Sequence, residues 1–435
     1  MRRIGEALDS ITAFLGAAVA GVALLLPITF TWTGESTPYR MTSLVNSVPR
    51  GAAFGLIVAV TVAVLVTTFT SPVTAWATAL GGALGMFVNH LVGDHVSSPD
   101  MLTTQNYLDA VCSGVLLGAL GAAVLRRPGP ATGFALGGAS SFVFGDLAEW
   151  LNITDQDPFT VLETPPRSLI AVVVLFLVVS TFRNRYRPRD ARSPRMTIEL
   201  PVTPILAAMV LALVILAVTE WLARQYQDAP TLGHGIDIGL AVTATVIAST
   251  AAAMLLPGRD GAGVYLAASL VPVADAMGYA PRPGWSLLAV VAVTAFGLFI
   301  GMRLPSMSLA IMLIIGLAAF ALATTSVDGD LILGVGSAAL ALTTGYCCGA
   351  ARPRYAPSGV LAIGALFLPS IITAIPVQFD GEPMRENAVS PSIAARTALA
   401  LAICSAVGLA LLHLFRPHTR PQPDNSTEDE KFADI

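Results

Sequence analysis

Few ionisable side chains interrupt the long apolar stretches of this chain, and those few are its candidates for chemistry: His90, Asp94, Asp109, Asp146, Glu149, Glu220, Asp237 and Asp275. A charged group inside hydrocarbon is costly, so its presence in an apolar run points to a role. Carboxylates brought together in a low-dielectric site hold protons more tightly than in water and can exchange them near neutral pH. A histidine beside them titrates in the same range. Asp146 and Glu149 are three positions apart and fall on one helix face. Exchange of protons coupled to movement of another solute is the chemistry such a set supports. The expected substrate or proton-coupling residues are therefore His90, Asp275, Asp146, Glu149, Asp109 and Glu220. Asp275, which follows Pro272 in an otherwise apolar run, and His90 stand foremost. For Asp109, Asp237, Glu149 and Glu220 the competing role is contact with water or headgroups one or two turns from a membrane surface; for His90 and Asp275 it is hydrogen bonding between helices.

The elements that hold these residues follow from composition. Of 435 residues 54% are hydrophobic and only 12% charged, with a mean hydropathy of +0.72. A soluble globular protein carries about 25% charge, so a bilayer must be the solvent for most of this surface. The apolar bulk is Ala, Val, Leu, Ile and Gly, which suits closely packed membrane helices. Spans of about 20 residues are expected near 11–32, 51–70, 73–93, 106–125, 131–151, 167–183, 201–222, 235–256, 261–279, 285–303, 306–325, 331–351, 357–377 and 393–415. The fold class is thus an all-α polytopic transmembrane bundle of about fourteen spans. Pro27, Pro272, Pro369 and Pro376 are expected to interrupt helices, and Gly81-Gly82 and Gly137-Gly138 serve close helix packing or a cavity. Thr243, Thr245, Ser249 and Thr250 form a hydroxyl stripe on the eighth span, facing either their own backbone or a ligand.

Charge sets the expected orientation. With the N-terminus inside, 17 of the 24 basic residues fall in cytoplasmic segments, among them Arg126, Arg127, Arg183, Arg259, Arg303, Arg352 and Arg354. The other loops carry acids such as Glu35, Asp155, Asp157, Glu163, Asp380 and Glu386. An arginine bias that recurs from loop to loop is the positive-inside pattern. It implies a multi-pass protein of a bacterial inner membrane with both termini cytoplasmic. The near absence of lysine (Lys431 alone) together with the Ala, Val and Gly content implies an actinobacterial, GC-rich source.

Short matches displaced by 184 residues suggest a duplication: Gly51 and Gly55 with Gly235 and Gly239, and Gly145-Asp146 with Gly329-Asp330. The expected organisation is a six-helix half at 1–183, a basic cytoplasmic loop at 184–200 and a second six-helix half at 201–351. Two further helices at 352–416 and a polar, disordered tail at 417–435 complete it. Six spans, a basic loop and six more spans resemble the architecture of the major facilitator transporters. That family carries a Gly/Asp/Arg-rich signature after its second span; here that turn is Ser71-Pro72, and Pro257, Gly258, Arg259, Asp260 and Gly261 form the nearest counterpart, after the eighth span. The fourth span also lacks the family's arginine, and the two added helices stand at the C-terminus.

The chain excludes several classes. The four cysteines (Cys112, Cys347, Cys348, Cys404) lie in apolar runs without metal spacing. No basic patch interleaved with aromatics marks nucleic-acid binding. Asp155 and Asp157 make a D-x-D in an outer loop, but no zinc helix, phosphate loop or nucleophile elbow accompanies it. The expectation is a non-enzymatic secondary transporter, without cofactor or metal, moving a small amphipathic or uncharged molecule with proton coupling. Its expected partners are the lipid bilayer, the small-molecule substrate and other membrane proteins. The alternative is a non-catalytic membrane subunit of a cell-envelope secretion or lipid-export complex.

Overall fold

The computed structural model describes residues 2–25, 29–30, 38–69, 72–93, 99–145, 161–162, 165–185, 202–228, 234–277, 286–325, 329–376 and 390–415. Within them the chain is a bundle of fourteen helices. The first six are α1 (Arg2–Leu25), α2 (Pro38–Phe69), α3 (Pro72–Gly93), α4 (Pro99–Val124), α5 (Pro128–Gly145) and α6 (Arg167–Asn184). Then come α7 (Thr203–Asp228), α8 (Gly235–Leu255), α9 (Ala262–Met277) and α10 (Ser286–Arg303). The last are α11 (Met307–Thr324), α12 (Asp330–Ala351), α13 (Ala356–Gly364) and α14 (Pro391–Phe415). A two-residue antiparallel ribbon, β1 (Thr29–Phe30) on β2 (Val161–Leu162), joins the loops after α1 and α5. Twelve segments among the described residues are long and apolar enough to cross a bilayer, α13 with its following turns counting as one. The 16-residue apolar α9 and the Gly- and Ser-rich α5 make up the fourteen.

Exposure separates a lipid-facing rim from a centre. The spans of α6 and α10 are each only 28% buried, whereas the α13 segment is 83% buried. Leu175 and Phe182 on α6, Leu288 and Phe296 on α10 and Leu414 on α14 stand outward, as continuous apolar faces do where hydrocarbon covers them. At the centre, α13 touches α2, α4, α5, α7 and α9.

Glycine lets the tightest pairs form. A Cβ added at Gly114 or Gly118 on α4 would overlap the Gly55 or Ala59 carbonyl on α2. The α10–α12 pair repeats the device: Gly297 and Gly301 face Leu342 and Tyr346, and Gly345 and Gly349 face Thr294 and Leu298. Small residues four apart allow backbones to approach without a side chain between them. Gly82 serves α3 against α4, Gly137 serves α5 against α1 and Gly138 meets Ile363 of α13, whereas Gly81 has nothing within 4 Å of an added Cβ. Gly235, Gly239 and Gly329, the second members of the 184-residue matches, have nothing within 4 Å of an added Cβ.

The prolines divide. Pro272 sits inside α9 without ending it, which corrects the expectation of a break there. Pro369 does end a helix: α13 stops at Gly364 and gives way to 3₁₀ turns at Ala365–Phe367 and Ile371–Ala374. Leu368, between them, is extended at φ −71° and ψ 148°, as expected of a residue that a proline follows. The single span expected at 357–377 is therefore a discontinuous one. Helix α1 ends at Leu25, and Pro27 lies outside the described residues, as does the tail 417–435.

Candidate functional site

The break in α13 is where an ionisable side chain meets irregular backbone: Asp275, half-buried, in the last turn of α9. Asp275 lies about 20 Å along α9 at 1.5 Å per residue, in a helix otherwise apolar over the same depth. Ser370, just after Pro369, donates to Asp275 Oδ2 at 2.5 Å and accepts the Ile372 amide at 3.0 Å. Thr373 in turn donates to the Ser370 carbonyl at 2.7 Å. One serine thus links the carboxylate of α9 to the capping of the second 3₁₀ turn. Ser370 therefore joins the carboxyl of α9 to the backbone of the central span. Ser370, being uncharged, escaped the search for ionisable groups; its position after a proline inside an apolar run is the signal that could have found it.

His90 and Asp109 come together, although neither approaches Asp275. His90 Nε2 lies 2.7 Å from Asp109 Oδ2, with side-chain exposures of 0% and 3%. Asn89 donates to Asp109 Oδ1 at 2.8 Å and to the Gln105 carbonyl at 2.9 Å. His90 Nδ1 and Gln105 Oε1 are buried and have no hydrogen-bond partner among the described residues. The pair fixes α3 on α4, and a further bond, from Asn106 to Ser47 Oγ at 2.8 Å, joins α4 to α2.

Glu220 on α7 is part-exposed and bonds Arg50 on α2 at 2.6 Å, with Arg224 at 3.8 Å. Asp237 lies 3.1 Å from His234 Nδ1. The hydroxyls of Thr243, Thr245, Ser249 and Thr250 each donate to the carbonyl four residues earlier, so the stripe on α8 satisfies its own helix. Asp94, Asp146, Glu149, Asp155 and Asp157 lie outside the described residues.

A buried carboxylate absent from the sequence candidates is Asp9. It is 0% exposed and bonds Arg127 at 2.7 Å, Arg183 at closer range and Asn184 at 3.2 Å. That cluster ties α1 to the α4–α5 turn and to α6 at the basic end of the bundle. In the α8–α9 turn, Asp260 accepts the backbone amides of Arg354 and Tyr355 at 3.0 and 2.9 Å, clamping the start of α13.

Also at the basic end, a cavity of about 330 Å³ opens between α5, α9, α10, α12 and α13. Leu266, Leu270, Leu298, Met302, Ile363 and Leu366 form its apolar wall. Thr132, Cys347 and Cys348 add its few weakly polar groups, and Arg352 is the only ionised side chain among the described residues that line it. Thr132 Oγ1 is held by the Pro128 carbonyl at 2.8 Å and Met302 Sδ at 3.5 Å. His90 and Asp275 are not among its lining residues. No group of three metal-ligating side chains occurs among the described residues.

No protein-family description matches the sequence, and no curated protein matches it. Among solved structures, a major facilitator superfamily transporter, FucP, in the outward conformation is similar over 95% of this chain and 99% of its own, at 14% identity and a TM-score of 0.44. Tetrameric PepTSo2 is similar over 95% and 98%, at 10% identity and a TM-score of 0.45. The nucleoside transporter NupG is similar over 94% and 99%, at 10% identity and a TM-score of 0.35. At such scores the likeness assigns this chain to none of them. The chain itself is a multi-pass, all-helical membrane protein.

Proposed function

We propose that this chain is a secondary active transporter of a bacterial inner membrane, moving a small amphipathic or uncharged molecule with proton coupling at Asp275. The observation that carries this reading is the discontinuous α13: a central, 83% buried span that leaves the helix beside Asp275, a half-buried carboxyl near the end of α9 that is hydrogen-bonded to Ser370. Irregular backbone within a bilayer is tolerated only where protein buries it or a cavity lies against it. Broken spans that meet an ionisable group are the construction of solute and coupling-ion sites in transporters. The apolar cavity between helices supplies a place for an amphipathic or uncharged cargo.

Of the other candidates, His90 with Asp109 is proposed as a second proton-holding pair, and Glu220 as an ion-pair partner that braces α7 on α2. Asp146 and Glu149 keep their proposed coupling role. The positive-inside pattern supports a cytoplasmic basic end, and with it cytoplasmic termini. Matched glycine contacts support α1–α6 and α9–α14 as the two halves, with α7–α8 between them, as an alternative to the division that the 184-residue displacement suggested.

Flux of a panel of fluorescent amphiphiles into proteoliposomes, with and without a pH gradient, tests the proposal. The expected result is gradient-stimulated uptake of at least one compound, lost in Asp275→Asn. Absence of flux together with stable co-purification of a membrane partner would instead favour the envelope-subunit alternative.

A further inference from the structure

We propose that the cavity at the basic end binds an anionic amphiphile with a short hydrocarbon chain, its acid head on Arg352. The inference rests on the transporter reading only in treating the bound molecule as cargo. At about 330 Å³ the cavity lies at the lower end of the roughly 300–1,000 Å³ of ligand pockets, which favours a short chain over a full lipid tail. Its wall is hydrocarbon on every contributing helix, and no carboxylate lies among the lining residues. The hydroxyl hydrogen of Thr132 is already directed at Pro128 and Met302, so ligand acceptor groups would be buried beside it unpaired, at a cost of about 1–3 kcal/mol each.

Arg352 supplies the ionised group among the described residues that line the cavity. Arg352 is exposed, follows the end of α12, and commits Nη2 to the Met302 carbonyl, which leaves other guanidinium N–H groups for a ligand. Burial pushes the Tyr355 phenol up and the charge of Arg126 partly offsets that push, which puts a second arginine within electrostatic reach of the start of α13. A carboxylate or sulfonate head is matched by this surface, a hydroxyl gains less, and an ammonium is repelled. Arginine pairs with a carboxylate through two parallel N–H bonds.

The test is equilibrium binding of radiolabelled decanoate to the full chain in nanodiscs of zwitterionic lipid, with empty nanodiscs subtracted and decanol and decylamine as competitors. We expect saturable decanoate binding, with decanol at least about tenfold weaker and Arg352→Gln weakening decanoate by about the same factor, the value of one charge-assisted hydrogen bond. Leu266→Trp, and Thr132→Trp as a second filling variant at a half-buried position, should abolish binding. Equal competition by all three ligands, an unchanged affinity in Arg352→Gln, or binding that survives both tryptophans would overturn the inference. Saturable decanoate binding without flux would support this site and remove the transporter reading; amphiphile flux without decanoate binding would do the reverse.

Discussion

Asp109 illustrates what a single buried charge does in this molecule. Its carboxylate is 3% exposed and accepts from Asn89 while facing His90. Removing one partner of a buried pair leaves the other uncompensated and costs about 3–5 kcal/mol. His90→Phe should therefore lower the thermal unfolding temperature in detergent sharply, as should Asp9→Asn, which strips both Arg127 and Arg183 of their acid. Glu220→Gln should change stability by no more than about 1 kcal/mol, because its pair with Arg50 is partly solvated. A His90→Phe protein as stable as the parent would refute the assigned geometry. Which residues were ionisable in apolar runs was readable from the chain; which of them touch was not. His90 and Asp109 lie on neighbouring spans whose register no local pattern fixes. Asp9 was passed over because it stands near a basic N-terminus, where a solvated acid is unremarkable, and its two arginines come from distant turns.

At the level of elements, the apolar runs located the helices closely, since hydrocarbon thickness dictates their length. They missed that α2 begins at Pro38 and runs through Pro49, because its first turns are polar. They also drew one straight span where α13 breaks, although Pro369 marked the place. Proline is a permissive signal: Pro272 occupies the same kind of run and leaves α9 intact. Glycine is similar, being open at Gly316 and overlapped by backbone at Gly345. Gly345→Leu should force α10 from α12 and cost at least about 1–3 kcal/mol by overpacking. Gly316→Ala, within α11 and free of neighbours, should be stabilising by about 0.5–1 kcal/mol through reduced backbone entropy. Thermal unfolding of the two variants side by side checks the pair; equal effects would deny that glycine position, rather than glycine content, sets these interfaces.

For the molecule as a whole, the alternation of arginine-rich and acid-bearing loops is the basis of the proposed orientation. Arg127, Arg183, Asp260 and Arg352 all gather at one end of the bundle. Cysteines placed at Asp190 and Asp380 should differ in labelling by an impermeant maleimide on intact cells, the second reacting and the first not. Labelling at 190 alone would invert the map. The most direct test of a transporter driven through Asp275 is the internal pH of proteoliposomes loaded with a fluorescent pH indicator, followed while a transported amphiphile is added outside. The account predicts proton movement that accompanies the solute in the parent chain, is reduced in Ser370→Ala and is absent in Asp275→Asn. Solute accumulation with the same accompanying proton movement in Asp275→Asn as in the parent would contradict it.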